Sequence, residues 1–348
     1  MKRLRIDVLT NDGSPLGTSW SDIYGYGSSG RVGLGGAELA LHTLCEAWDK
    51  AGHSVRLYNN PLSQGSPYPQ YPIDTFIPHE ERDILIVFRS PNHRVRHAKG
   101  KKIWWSCDQY TIGDFAQFSK QVDKIVTISP FHAQHFKDAY GIENTITIDL
   151  PVRIEDYGLD EDVQESKVPG RMIFCSVPDR GLAVLAQAYP RIKQEVPEAS
   201  LIITSDYRLW GLPDARNEQF IRKFMGMDGV KFLGAIPRKQ MVHEQKKAQI
   251  MAYPCTYDEL FCYAVAECQI AGAYPITSSK GAVSTTNMGQ LVHGDPNHPH
   301  WVKTFADAVI HALRYEDMDK KREEVREKAL ERFSLDKILK EWEKVMYE

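Results

Sequence analysis

The chain has 348 residues, with 42% apolar and 26% charged residues and a net charge of −3 from 43 basic and 46 acidic side chains. That length implies about two domains, each large enough to bury a core without disulfides or metals. The composition excludes a disordered, collagenous or coiled-coil chain, and the charge balance gives no global attraction to nucleic acid or membranes. No apolar run approaches the ~18 residues that span a bilayer, and the opening Met1-Lys2-Arg3-Leu4-Arg5 lacks the apolar core of a leader. Six scattered cysteines without a CxxC predict buried thiols, a reducing compartment and a cytoplasmic location.

In chain order, β-type runs at 4–10, 54–59, 83–88, 102–106, 124–128 and 145–149 alternate with helical patterns at 37–51, 111–121 and 130–140. The rhythm predicts βαβ units and a parallel sheet covered on both faces. The segment 151–170 is polar, acidic and bounded by Pro and Gly, and reads as a linker. Strands at 171–175, 201–204, 230–233, 249–253 and 274–277 follow, with helices at 182–195, 214–225, 238–248 and 260–271. The end is helical through 301–314, 317–333 and 335–347. The expected domains are 1–155 and 165–333, with the helix 334–348 packing back on the first. One connection, 11–34, is several times longer than the ordinary loop of about 4–6 residues. It carries Trp20, Tyr24 and Tyr26, and long loops at the carboxyl ends of parallel strands are where ligands bind.

Three constellations carry chemistry. Gly33-Leu34-Gly35-Gly36-Ala37-Glu38 follows the first strand and opens a helix, where free N–H groups and the helix dipole favour a phosphate. Glycines there also serve tight helix–strand packing, and the residues alone leave both readings open. Pro178-Asp179-Arg180-Gly181-Leu182 stands at the equivalent point of the second half. Arg180 there can meet a diphosphate or pair with a nearby carboxylate. In Asp258-Glu259-Leu260-Phe261-Cys262-Tyr263-Ala264-Val265-Ala266-Glu267, a helix beginning at Glu259 puts the two glutamates on broadly one side, about 12 Å apart along the axis. A buried Glu267 needs donors, either sugar hydroxyls or an arginine or lysine from elsewhere. His132 and His135 read as surface histidines, and His293, His298 and His300 with Asp295 as a solvated loop, so no metal set is expected. Residues 89–102 hold Arg89, Arg94, Arg96, Lys99, Lys101 and Lys102 without an acid, either a solvated loop or a receiver for an anionic acceptor.

In order, these motifs resemble the retaining nucleotide-sugar glycosyltransferases of the GT-B fold, specifically glycosyltransferase family 4 (glycosyl transferases group 1). The likeness runs from Gly35-Gly36-Ala37-Glu38 through Ile128-Ser129-Pro130, the Arg180 turn, Phe232-Leu233-Gly234 and the Glu-x7-Glu pair to Ala271-Gly272-Ala273-Tyr274-Pro275 and Gly281-Ala282. It implies two Rossmann-like domains facing across a cleft, with a C-terminal helix crossing back. The second domain would bind a UDP- or GDP-sugar, and the first a hydroxyl acceptor such as a glycan or glycolipid. It further implies that Gly35, Gly36 and Glu38 serve the donor and that Arg180 neutralises the leaving diphosphate. Glu259, with backbone around Phe261 and Cys262, would hold the sugar hydroxyls, and Glu267 the ribose. Asp108 would orient the acceptor, which Trp20, Tyr24, Arg94 and Arg96 would help to bind. No cofactor or essential metal is implied.

Three departures stand out. Val177 occupies the place of a second basic residue, for which Lys246 or Lys247 is the expected substitute. Cys262 stands where a glycine is frequent, and Cys107-Asp108 where a His-Asp pair is frequent. Alternatives are transfer to hydroxymethylated DNA bases, a sugar-nucleotide epimerase, and a non-catalytic sugar-nucleotide-binding protein. Peripheral membrane contact is compatible with the sequence. A nicotinamide-dependent oxidoreductase is disfavoured, because the loop lacks GxGxxG and no acid ends the second strand.

Overall fold

The structure, a computed structural model, describes residues 2–10, 18–24, 33–61, 65–108, 113–158, 166–210 and 212–348, with Trp210 described by its backbone alone. The chain forms two units, one of Met1–Pro151 with Leu335–Glu348 and the other of Val152–Ser334.

The first unit is a seven-stranded, all-parallel sheet in the order β3-β2-β1-β4-β5-β6-β7. Its strands are β1 (Arg5–Thr10), β2 (Ser54–Tyr58), β3 (Gln70–Tyr71), β4 (Ile84–Phe88), β5 (Lys101–Trp105), β6 (Lys124–Thr127) and β7 (Ile146–Thr147). Helices α1 (Gly36–Lys50), α2 (Phe115–Phe118) and α3 (Pro130–Tyr140) lie between strands. β4 is buried at every position, as a strand covered on both faces requires. Trp104 centres one core layer, its ring 5.1 Å from Phe115 and Phe118 and 5.3 Å from Phe136. α2 is much shorter than the pattern 111–121 predicts. Gly113 holds φ +133 and Asp114 caps the helix by accepting from the Gln117 N–H at 2.9 Å, so the helix cannot start before residue 115. β3 escapes the sequence reading because two residues show no periodicity.

The last helix, α11 (Leu335–Tyr347), belongs to this unit. Its Ile338, Trp342, Val345 and Met346 form one buried stripe. Trp342 sits edge-on against Trp48 and Trp105, with centroids 5.5 and 5.2 Å apart.

The second unit is a six-stranded parallel sheet in the order β10-β9-β8-β11-β12-β13. Its strands are β8 (Arg171–Phe174), β9 (Ser200–Ile203), β10 (Val230–Phe232), β11 (Ile250–Tyr253), β12 (Tyr274–Ser278) and β13 (Gln290–Val292). Helices α4 (Leu182–Glu195), α5 (Ala215–Ile221), α6 (Arg238–Lys247), α7 (Tyr263–Ile270), α8 (Val283–Thr286), α9 (Pro299–Arg314) and α10 (Met318–Arg332) cover it. The sequence puts the domain boundary after residue 155, whereas the contacts put it after Pro151. The turn Ile154–Tyr157 is held by this unit: the Tyr157 hydroxyl donates to Gln245 Oε1 at 2.7 Å, and Asp156 accepts from Arg238 Nε at 2.8 Å. Among the described residues no helix is long and apolar enough to cross a membrane.

Candidate functional site

Arg180 ends a 3-10 turn, Pro178–Arg180, between β8 and α4. Gly181 follows at φ +119, and a Cβ there would collide with the Pro254 carbonyl after β11, so only glycine lets the two loops approach. Across that approach Arg180 Nη1 donates to both oxygens of Glu259, at 2.8 and 2.7 Å. The Tyr253 hydroxyl donates to Glu259 Oε1 at 2.7 Å, and the Arg180 guanidinium lies 4.5 Å from the Tyr257 ring centre. Burial alone would lower the Arg180 pKa, but the adjoining Glu259 carboxylate more than reverses this and the net shift is upward. Burial raises the Tyr253 hydroxyl well above its ordinary value and pushes the Cys255 thiol up to about 12. Both stay neutral beside the ion pair.

Glu259 does not start a helix, contrary to expectation. α7 begins only at Tyr263, and Cys262, the residue before it, takes the left-handed conformation at φ +71. A glycine at this place would be free of strain; Cys262 carries the strain with its side chain in the apolar core. The turn separates the two glutamates, so they do not share a helix face. The turn is clamped from outside. The Ala282 N–H donates to the Glu259 carbonyl at 2.7 Å, Thr286 Oγ1 donates to the Phe261 carbonyl, and Gly281 leaves no room for a Cβ against Glu259. Phe261 is buried edge-on against Phe333, 5.7 Å away.

Glu267 lies within α7, 6% exposed, and is paired with an arginine from elsewhere: Arg238 Nη1 donates to Oε1 and Gln245 Nε2 donates to Oε2 at 3.2 Å. Sequence reasoning missed Arg238; a lone arginine just after Pro237 gave no motif signal. Tyr253 was missed as well, since a tyrosine ending a buried strand reads as core. Lys246 and Lys247 do not supply the second cation. They end α6 at the opposite, amino edge of the sheet, where their carbonyls accept from Ser166 Oγ and the Val168 N–H.

In the first unit, Gly35 caps α1, Gly36 begins it, and Glu38 pairs with Arg89. A Cβ on Gly35 would meet the Glu38 carboxylate, so the glycine makes room for that side chain. Arg89, just past β4, is only 13% exposed at φ +67, and its carbonyl accepts from Trp104 Nε1 at 2.9 Å. The half-buried Cys107 thiol is raised by burial, with Arg89 opposing and Glu38 and Asp108 adding to the rise. These four side chains therefore share one corner of the sheet's carboxyl edge. Trp20 and Tyr24 pack 6.1 Å apart, Trp20 Nε1 donates to Glu46 at 3.1 Å, and Tyr24 is 45% exposed; Tyr26 lies outside the described residues.

The basic run is not a uniform solvated loop. Arg89 is half-buried in its ion pair, Arg94 donates to the Ile73 carbonyl at 2.8 Å, Lys99 pairs with Glu81, and Lys101 donates to the Val345 carbonyl of α11; Arg96 is exposed. His132 is not a surface residue either. It is fully buried, its Nδ1 accepts from the Ile128 N–H at 3.3 Å, and burial lowers its pKa to about 3. No group of three or more metal-ligating side chains gathers among the described residues.

Two parallel-sheet Rossmann-like units, the second with an Arg–Glu pair at its carboxyl edge, define a GT-B fold. Solved structures of the same fold include a glycosyltransferase from Rickettsia africae ESF-5 (14% identity, TM-score 0.72, 98% of this chain and 97% of that one). The sucrose-phosphate synthase of Thermosynechococcus elongatus (15%, 0.71, 98% of each chain) and Anabaena HepE in complex with UDP and glucose (13%, 0.70, 99% of each) share it. Residues 173–332, all within the second unit, match the family described as Glycosyl transferases group 1. No curated protein matches the chain.

Proposed function

We propose that the chain is a retaining glycosyltransferase that moves a hexose-type sugar from a UDP- or GDP-sugar to a hydroxyl of a glycan or glycolipid. The observation that carries this reading is the Arg180–Glu259 pair, fixed by Tyr253 and Tyr257 at the carboxyl edge of the sheet inside the matched domain. In the transfer, the bond from the anomeric carbon to the phosphate oxygen breaks, the acceptor oxygen bonds to that carbon, and the acceptor proton leaves with the phosphate. The new negative charge sits on the departing diphosphate, where a preorganised cation stabilises it best. Arg180 is that cation, and Glu259 accepts from the hydroxyls of the donor sugar. Glu267 serves the ribose. In the first unit, Gly35, Gly36 and Glu38 serve the donor, and Asp108 and Trp20 the acceptor. Retention is what the resemblance of the motif order to that of retaining transferases implies, and no step calls for a metal.

The test incubates UDP- and GDP-hexoses with the protein and follows nucleoside diphosphate by chromatography. The reading predicts slow hydrolytic release from one donor, lost in R180Q. Conversion of the donor sugar with no diphosphate released would make the protein an epimerase instead.

A further inference from the structure

Arg238 opens α6 at the carboxyl edge of the second sheet and is 7% exposed. Its Nε donates to Asp156 Oδ2 at 2.8 Å and its Nη1 to Glu267 Oε1. Nη2 is buried as well, and no acceptor among the described residues reaches it. Buried polar groups are nearly always partnered, and a charged donor left without an acceptor is among the costlier defects of a fold. The neighbours are already committed. The Tyr157 hydroxyl donates to Gln245 Oε1, Gln245 Nε2 donates to Glu267 Oε2, and the Tyr157 ring lies 5.6 Å from the guanidinium. What is left is an unused N–H beside a carboxylate, each oxygen of which can accept more than one hydrogen bond. A donor next to an acceptor fits a hydroxyl or a vicinal diol. A phosphate does not fit, because Glu267 and Asp156 would repel it.

We infer that Arg238 is a specificity-determining residue: its Nη2 donates to a hydroxyl of the nucleoside sugar while Glu267 accepts from the diol, which selects ribonucleotide over deoxyribonucleotide donors. The inference rests on the donor reading above and adds a residue and a selectivity to it. A site built to hydrogen-bond a hydroxyl rejects the analogue that lacks it, because its buried polar groups are then unpaired.

The experiment is calorimetric titration of the full-length protein with UDP and GDP, then with the 2′-deoxy and 3′-deoxy forms of whichever binds. Wild type, R238K and R238Q are compared, with folding checked by circular dichroism. Wild type should bind the ribonucleotide at least about tenfold more tightly than one deoxy form. In both variants that ratio should fall to within roughly threefold, while the deoxy form still binds. R238K, which keeps a charge beside Glu267 and Asp156, carries the test if R238Q does not fold. If neither folds, one guanidinium resonance of arginine-labelled wild type must shift with the ribonucleotide and not with its deoxy form; no such difference overturns the inference. Equal affinities in wild type, or an unchanged ratio in folded R238K, overturn it and leave donor binding intact. Failure of both UDP and GDP to bind at millimolar concentration overturns the donor reading and the inference with it.

Discussion

Each unit carries an arginine–glutamate pair at the carboxyl edge of its sheet, and the two pairs are built differently. Arg180 and Glu259 meet across two loops that a glycine brings together. Two tyrosines support the pair, and the 281–286 segment clamps the Glu259 backbone. Arg89 and Glu38 depend on a non-glycine residue at φ +67 and on the missing side chain of Gly35. Stabilising a departing charge needs a cation that is already in place, because reorganisation during the reaction costs rate. The second unit meets that requirement. The first unit instead holds a strained corner in which Arg89 lies beside Cys107 and Asp108.

Acidification is the harshest way to separate the two units. His132 in the first unit has a folded pKa of about 3 against an ordinary 6.5. The stability gained by keeping it neutral is therefore complete above pH 6.5 and is lost as pH falls toward 3, on the order of 5 kcal/mol in all. With the intrinsic pH dependence of exchange divided out, amide protection factors in β6 and α3 should fall between pH 6.5 and 4, while those in β8 and β11 hold. Simultaneous loss in both units would contradict this.

Next in size, R180Q should lower turnover by about 10²–10³-fold, against tenfold or less for R89Q; equal losses would put both pairs in the charge-stabilising role. The glycines sharpen the contrast. Gly181→Ala meets a backbone carbonyl at φ +119, and melting should show a loss of about 3 kcal/mol. Gly35→Ala at φ −66 meets only the flexible end of Glu38 and should cost about 1 kcal/mol. An effect of similar size to that of Gly35→Ala belongs to Asp206, which accepts from Arg208, Asn217 and the Ala235 N–H. Burial opposes these bonds, yet the net pKa falls from 3.8 to about 2. The stability they add is present above pH 4 and lost as pH falls to 2. With solvent screening allowed for, it amounts to about 1–2 kcal/mol, and D206N should remove that acid dependence.

Strand and helix alternation was legible because fully buried parallel strands and amphipathic helices differ in period; α3, α4 and α11 fall where their patterns put them. The displaced start of α7 was not legible. The glycine frequent at the place of Cys262 hinted at a left-handed residue, but Leu260-Phe261-Cys262 itself does not, and Ala282 and Thr286 clamp the turn from a later loop. Burial of His132 was hidden for a similar reason: the Ile128 amide is a local partner, but Ser106 follows another strand, β5, which only the fold brings near. Of the site, the Arg180 and Glu-x7-Glu positions could be named from spacing. That Arg180 pairs with Glu259 and Arg238 with Glu267, across 79 and 29 residues of sequence, could not be read from it.

The central claim is that the second unit binds a sugar nucleotide at the Arg180–Glu259 pair. The most direct measurement is calorimetric titration of UDP, GDP, ADP and their hexose conjugates into wild type and R180Q. The account predicts saturable binding of a UDP or GDP compound by wild type, with the diphosphate bound at least about tenfold more weakly by folded R180Q. Absence of binding by wild type, or equal binding by both proteins, would contradict it.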